Sequence, residues 1–157
     1  MMVNLKPITS KNDDEICGLK ADRNLVRHNE GSLADAFVYT IEYGTTPIVY
    51  GIYNDEIPVG FVMVAYFEED DRDNEGIPYY FLWRMMIDEK HQNKGYGREA
   101  MKLIIEEVKT FPKGKSNAFY TSTHGAAALK LYKSLGFKVT KEVPGEEIEL
   151  RLALSHE

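Results

Sequence analysis

The sequence predicts an α/β fold: one domain with a mixed, mostly antiparallel sheet of about six to seven strands and about four flanking helices. Three observations predict it. Apolar runs of strand length recur, among them Ile48–Asn54, Ile57–Phe67 and Tyr79–Ile87. From Gly95 the period turns helical, with Met101, Ile104, Ile105 and Val108 at i, i+3, i+4 and i+7. Strand patterns then return, so strands enclose helices throughout.

Taken in order, Val3–Ile8 reads as an opening strand. Asp13–Lys20 and Ser32–Glu42 read as short helices, the second with Ser32 as its cap and Asp35 as the acid of a capping-box variant. Ile48–Asn54 and Ile57–Phe67 are split by Asp55-Glu56, a polar pair that makes a hairpin the economical reading. The second run, Val59 to Tyr66, lacks alternation, as expected of a strand covered on both faces. Glu68–Gly76 reads as an acidic loop, Tyr79–Ile87 as a strand and Asp88–Lys94 as a polar turn. Pro112 and Gly114 stop the helix that starts at Gly95. Asn117–Ser122 is a short strand. A second helix follows with Ala128, Leu131, Tyr132 and Leu135 on one stripe, and Gly136 stands where a C-cap glycine belongs. Phe137–Val143 and Glu147–Leu154 close the sheet, the latter alternating Ile148, Leu150, Leu152 and Leu154 with polar or small residues.

With 157 residues, no repeat and no linker, the whole of 1–157 is expected to form one domain. A composition of 43% hydrophobic and 28% charged residues argues against a disordered tail. No apolar run approaches the ~18 residues of a membrane helix, and Met1–Pro7 lacks a signal-peptide pattern, so a cytoplasmic protein is expected. The single Cys17 excludes an internal disulfide and a cysteine zinc cluster; it reads as a buried structural thiol, and no metal is expected. A net charge of −6 disfavours nucleic acid and suits a cationic partner, although solubility alone also accounts for it.

The informative stretch runs from Arg84 to Arg98. A buried strand ends in a polar turn, and Gly95 and Gly97 open a helix. Glycines allow positive φ and close approach of a ligand, and the first amides of a helix point outward without internal partners. Asn93 to Arg98 is therefore a candidate pyrophosphate cradle, the alternative being a strand–helix turn that needs glycine for tightness alone. No Walker loop is present. Gly95-Tyr96-Gly97-Arg98-Glu99-Ala100 fits a relaxed dinucleotide pattern, but the required acid about 20 residues on is replaced by Lys113-Gly114-Lys115-Ser116.

Three motifs together resemble the GNAT superfamily of N-acetyltransferases. Its cofactor turn, Gln/Arg-x-x-Gly-x-Gly/Ala, is matched by Gln92-Asn93-Lys94-Gly95-Tyr96-Gly97. Its preceding strand is matched by Phe81–Ile87, and its later Leu-Tyr-x-x-x-Gly-Phe by Leu131 to Phe137. The resemblance covers roughly 46 to 154. It implies a sheet that splays between its fourth and fifth strands to admit the pantetheine of acetyl-CoA. Backbone groups around Met85, Met86 and Ile87 would then meet pantetheine, and Gln92, Asn93, Lys94, Gly95, Tyr96, Gly97 and Arg98 would form the pyrophosphate turn. The superfamily often carries Asn seven residues before the helix tyrosine; here Gly125 stands there, beside His124, so one cofactor contact is altered. A homodimer through strand edges is also compatible with the resemblance.

By the same resemblance Tyr132 takes the general acid's place. A protonated phenol, with a pKa near ~10, is suited to give a proton to the departing coenzyme sulfur. From its stripe alone, Tyr132 reads as a core aromatic; the Leu-Tyr-x-x-x-Gly-Phe motif reverses that reading. Tyr39, Glu42, Glu68 and Glu75 are candidates for the base that relieves the amine of its proton. The segment Glu68–Glu75 holds six acids and one base, which suits either a polycation or a solvated hairpin tip. With Gly60-Phe61-Val62-Met63 and Arg84-Met85-Met86-Ile87-Asp88, it resembles the bacterial spermine/spermidine acetyltransferase branch. Tyr39, Glu68, Glu75 and Trp83 are accordingly candidate substrate contacts, Trp83 reading also as core. Another amine substrate, an aminoglycoside or a protein amine, and a non-catalytic acetyl-CoA-binding module are the alternatives.

Overall fold

The computed structural model describes residues 1–21, 28–67, 78–110 and 118–154. Along these the chain runs β1 (Val3–Pro7), α1 (Asp13–Cys17), α2 (Asn29–Tyr43), β2 (Ile48–Asn54), β3 (Ile57–Phe67) and β4 (Tyr79–Ile87). A 3₁₀ turn (Glu89–His91) leads to α3 (Tyr96–Thr110), followed by β5 (Ala118–Thr123), α4 (Ala126–Ser134), β6 (Lys138–Lys141) and β7 (Ile148–Ala153). Seven strands form one mixed sheet in the order β1-β2-β3-β4-β5-β7-β6. The chain divides into two compact units, Met1–Ala65 with Trp83–Leu103, and Tyr66–Leu82 with Ile104–Glu157.

In the first unit β1, β2 and β3 are antiparallel neighbours, Val3 pairing Asn54 and Ile48 pairing Val64. Asp55 turns the β2–β3 hairpin with φ 55°. Val59 to Ala65 is buried without interruption, as a strand covered on both faces requires. Ile16, Ala36, Tyr53, Phe61, Met63 and Met86 form the core, with Leu33, Val49 and Trp83 packed against it. Gly60 is demanded by packing rather than by φ: a Cβ there would collide with the Met86 carbonyl oxygen and the Ile87 side chain.

In the second unit Tyr80–Leu82 of β4 pairs in parallel with Phe119–Thr121 of β5, and β5 pairs antiparallel with β7. Tyr79, Ala118 and Tyr120 make its core, with the Tyr79 and Tyr120 rings edge-on at 5.1 Å.

Three expectations are corrected. Ser32 does not cap α2; it lies inside the helix, 1% exposed, its N–H bonded to the His28 carbonyl. The helix starts at Asn29 because the buried Asn29 carboxamide donates to the Ile16 carbonyl at 2.8 Å, anchoring the first turn to α1. The strand expected over Phe137–Val143 shrinks to Lys138–Lys141, every residue exposed, with a register shift between Val139 and Lys141. Cys17 is half-buried rather than buried; burial, then Glu30, Asp13 and Asp14, push its thiol up. Pro112, Gly114 and the acidic loop 68–77 lie outside the described residues. Among the described residues no helix is long and apolar enough to cross a membrane, and no three His, Cys, Asp or Glu side chains gather as metal ligands.

Candidate active site

The candidate cofactor corner lies where β4 ends. The Asp88 N–H donates to the Val59 carbonyl of β3 at 2.8 Å. Backbone groups alternate sides along a strand, so those of Met86 face β3 and those of Met85 and Ile87 face away from it. The Met86 carbonyl at Gly60 agrees, and its thioether, 3.7 Å from Asn29 Nδ2, belongs to the core. Of the three β4 residues expected around pantetheine, Met85 and Ile87 thus turn their backbone groups away from β3 and Met86 does not. The Ile87 carbonyl already accepts a bond from Gln92 Nε2 at 3.0 Å. Gln92 therefore clamps the strand end rather than offering its side chain outward.

Asp88, which sequence reasoning passed over, is the knot of this corner. The residue is 7% exposed. Oδ1 accepts the Lys20 N–H at 2.8 Å and Oδ2 the Lys90 N–H at 3.3 Å. Its carbonyl accepts the His91 N–H at 2.8 Å, while the Glu89 N–H reaches the Lys20 carbonyl, also at 2.8 Å.

Beyond the knot the chain turns through Asn93 at φ 64° and Gly95 at φ 85°. The first intrahelical bond of α3 is Glu99 N–H to Gly95 carbonyl at 3.2 Å. Gly95 is thus the N-cap, and the amides of Tyr96, Gly97 and Arg98 precede any helical acceptor. A glycine cap brings no side-chain oxygen to satisfy them. Lys94 and Arg98 stand exposed on either side. Three outward amides, the positive helix end and two cations fit a pyrophosphate. Gly97 is helical, so only Gly95 of the pair serves the left-handed backbone.

The same unit brings together two candidate acceptor contacts. Tyr39, 8% exposed, has its ring 5.5 Å from Trp83 and 4.6 Å from Tyr43. The Arg84 guanidinium lies 5.2 Å from the Trp83 ring centre and 3.5 Å from Asp35 on α2. Asp35 had no sequence signal as a partner of Arg84. Glu42 is exposed on α2, and Glu68 and Glu75 fall outside the described residues.

In the second unit, Leu-Tyr-x-x-x-Gly-Phe proves to be a helix terminus. Gly136 at φ 100° lets its N–H reach the Lys133 carbonyl and the Phe137 N–H reach the Tyr132 carbonyl, both at 3.1 Å. This is a Schellman cap, and the Tyr132–Phe137 ring contact at 5.7 Å is its hydrophobic lock. Tyr132 is 7% exposed. Burial pushes its phenol up, a hydrogen bond with Thr121 offsets part of the rise, and the Glu147 charge adds to it. The phenol therefore stays protonated at neutral pH. Glu147 itself accepts a short hydrogen bond from Ser122 Oγ. Gly125 caps α4 with its carbonyl, accepting the Leu129 N–H at 3.0 Å, and its own N–H is held by Thr123 Oγ1.

Residues 14–137 match the acetyltransferase (GNAT) family. The chain belongs to that family. Membership makes it an acetyl-CoA-dependent N-acetyltransferase. Among GNAT relatives, the chain is 30% identical to the spermine/spermidine N(1)-acetyltransferase of Bacillus subtilis (strain 168), over 96% of this chain and 99% of the relative. Arabidopsis thaliana NAA60, solved with acetyl-CoA, superposes with a TM-score of 0.72 at 11% identity, covering 98% of this chain and 99% of that one. An acetyltransferase from Thermus thermophilus gives 0.64 at 17% identity, covering 98% of both. These two GNAT structures share the mixed sheet and its helices.

Proposed function

We propose that this enzyme acetylates a primary amine of a polyamine such as spermidine or spermine, with Tyr132 as general acid and residues 1–157 working as one catalytic domain. The observation that carries the donor side is the start of α3, where a glycine N-cap leaves three amides for an anion. The 30% identical polyamine acetyltransferase supports the acceptor side. So do the six acids of 68–75 and the Tyr39–Trp83 aromatic pair, which suits an aliphatic chain bearing charge.

Bound acetyl-CoA supplies an acetyl group activated as a thioester. The backbone of Met85, facing away from β3, offers an N–H to polarise the carbonyl oxygen. A primary ammonium with a pKa near ~10.4 must lose a proton before it attacks, at about 4–5 kcal/mol at neutral pH. Tyr39, Glu42, Glu68 and Glu75 are the groups proposed to take that proton, directly or through water. Tyr132 holds a proton and delivers it to the sulfur as the carbon–sulfur bond breaks. The same reading places the enzyme in the cytoplasm and allows a homodimer through a sheet edge, β1 or β6.

A thiol-release assay with acetyl-CoA tests this against spermidine, spermine, an aminoglycoside and a peptide α-amine. Fastest release with spermidine or spermine is expected. Release with another amine alone replaces the substrate, and binding without release from any amine makes the protein a binding module.

A further inference from the structure

We propose that Asn54 is a positioning residue for acetyl-CoA: its carboxamide holds the Tyr96 hydroxyl and thereby fixes the amides that receive the pyrophosphate. The proposal rests on the pyrophosphate reading of the α3 start.

Asn54 is the last residue of β2, paired with Val3 on one side and Ile57 on the other, so its Cα is fixed by two ladders. Its Nδ2 donates to Tyr96 Oη at 3.0 Å, and its Oδ1 accepts the Met2 N–H at 3.1 Å. Both ends of the amide are engaged, and rotating it by half a turn would oppose donor to donor at Met2. Tyr96 is the first residue of α3, 9% exposed, and its N–H is one of the three that precede the first helical acceptor. A shift of its ring therefore carries the cradle with it.

The turn needs such a fixture. Residues 92–95 are exposed, and two of them, Asn93 and Gly95, are left-handed. Gly95 has open space around it: a Cβ there would meet only a Met1 side-chain carbon, at 4.0 Å. On the upstream side Asp88 and the Gln92–Ile87 bond restrain the turn. On the downstream side the Asn54–Tyr96 bond ties the side chain of the first helical residue to a strand. Anions are bound tightly by preorganised donors, and a donor set free to wander loses that advantage.

Acetyl-pantetheine, which lacks the pyrophosphate, separates a positioning role from a merely structural one. The wild-type enzyme is expected to prefer acetyl-CoA in kcat/KM; equal use of both donors would overturn the pyrophosphate reading and this proposal with it. Given that preference, Asn54→Ala and Tyr96→Phe should each lower kcat/KM for acetyl-CoA about three- to tenfold, through KM, the effect of one hydrogen bond. The same variants should change the value for acetyl-pantetheine less than twofold. The double variant should lose no more than the larger single loss, since the Asn54–Tyr96 bond is already absent from each single variant. Equal losses with both donors, unchanged acetyl-CoA kinetics, or additive losses would each overturn the assignment of Asn54.

Discussion

The Phe137 amide donates to the Tyr132 carbonyl at 3.1 Å, and the two rings meet at 5.7 Å. A motif spelled as a string of residues is, in space, a single helix terminus. It holds the tyrosine by its backbone from below and by its ring from the side.

Gly136 makes that terminus possible. At φ 100° an alanine is strained, although its Cβ would only touch Leu152 Cδ1, at 3.4 Å. Gly136→Ala should destabilise the protein by about 1–2 kcal/mol, lowering the melting temperature by roughly 2–8 °C. An unchanged thermal midpoint would show that the cap is not needed.

Tyr132→Phe should reduce turnover roughly 10²–10⁴-fold with little change in acetyl-CoA affinity. Stopped-flow turnover beside calorimetric binding checks the pair, and full turnover would remove the tyrosine from the reaction.

The same side chain has a pH signature. Burial raises the folded phenol above its unfolded value near ~10. Its stabilising share is complete below that unfolded value and is lost as pH climbs through the folded one. Urea unfolding between pH 9 and 12 should show a limb whose slope falls in Tyr132→Phe by about one proton. Tyr53, raised by burial and then by its bond to Glu15, keeps part of the limb. A slope identical in both proteins would contradict the buried neutral phenol.

Gly95→Val puts a β-branched side chain at φ 85° beside the three outward amides. Calorimetry should find acetyl-CoA binding at least ~10-fold weaker, by disorder of the turn and bulk in the cradle. Undiminished affinity would place the phosphates elsewhere.

Asp88→Ala strips acceptors from the amides of Lys20 and Lys90. The expected loss is about 2–4 kcal/mol in chemical denaturation. A loss below ~1 kcal/mol would mean that water replaces the carboxylate in this corner.

What could be read from the sequence were demands local to the chain. Gly95 and Gly136 announce left-handed backbone because few other residues tolerate it. The hairpin at Asp55 and the unbroken burial of Val59 to Ala65 follow from residue type in a short window. What could not be read were partnerships across long separations. Asn54 and Tyr96 are 42 positions apart, Asp35 and Arg84 49, Lys20 and Asp88 68. The start of α2 is illegible for the same reason, since the Asn29 side chain is held by the Ile16 carbonyl of α1.

A helix that begins on glycine forgoes the oxygen that serine or aspartate would have lent it, a difference of only about a few tenths of a kcal/mol in the empty protein. At φ 85° a serine would be strained in that place, so the notch is kept by the backbone as much as by any ligand. On the proposed reading, the diphosphate of the donor would supply the acceptors that this helix start lacks.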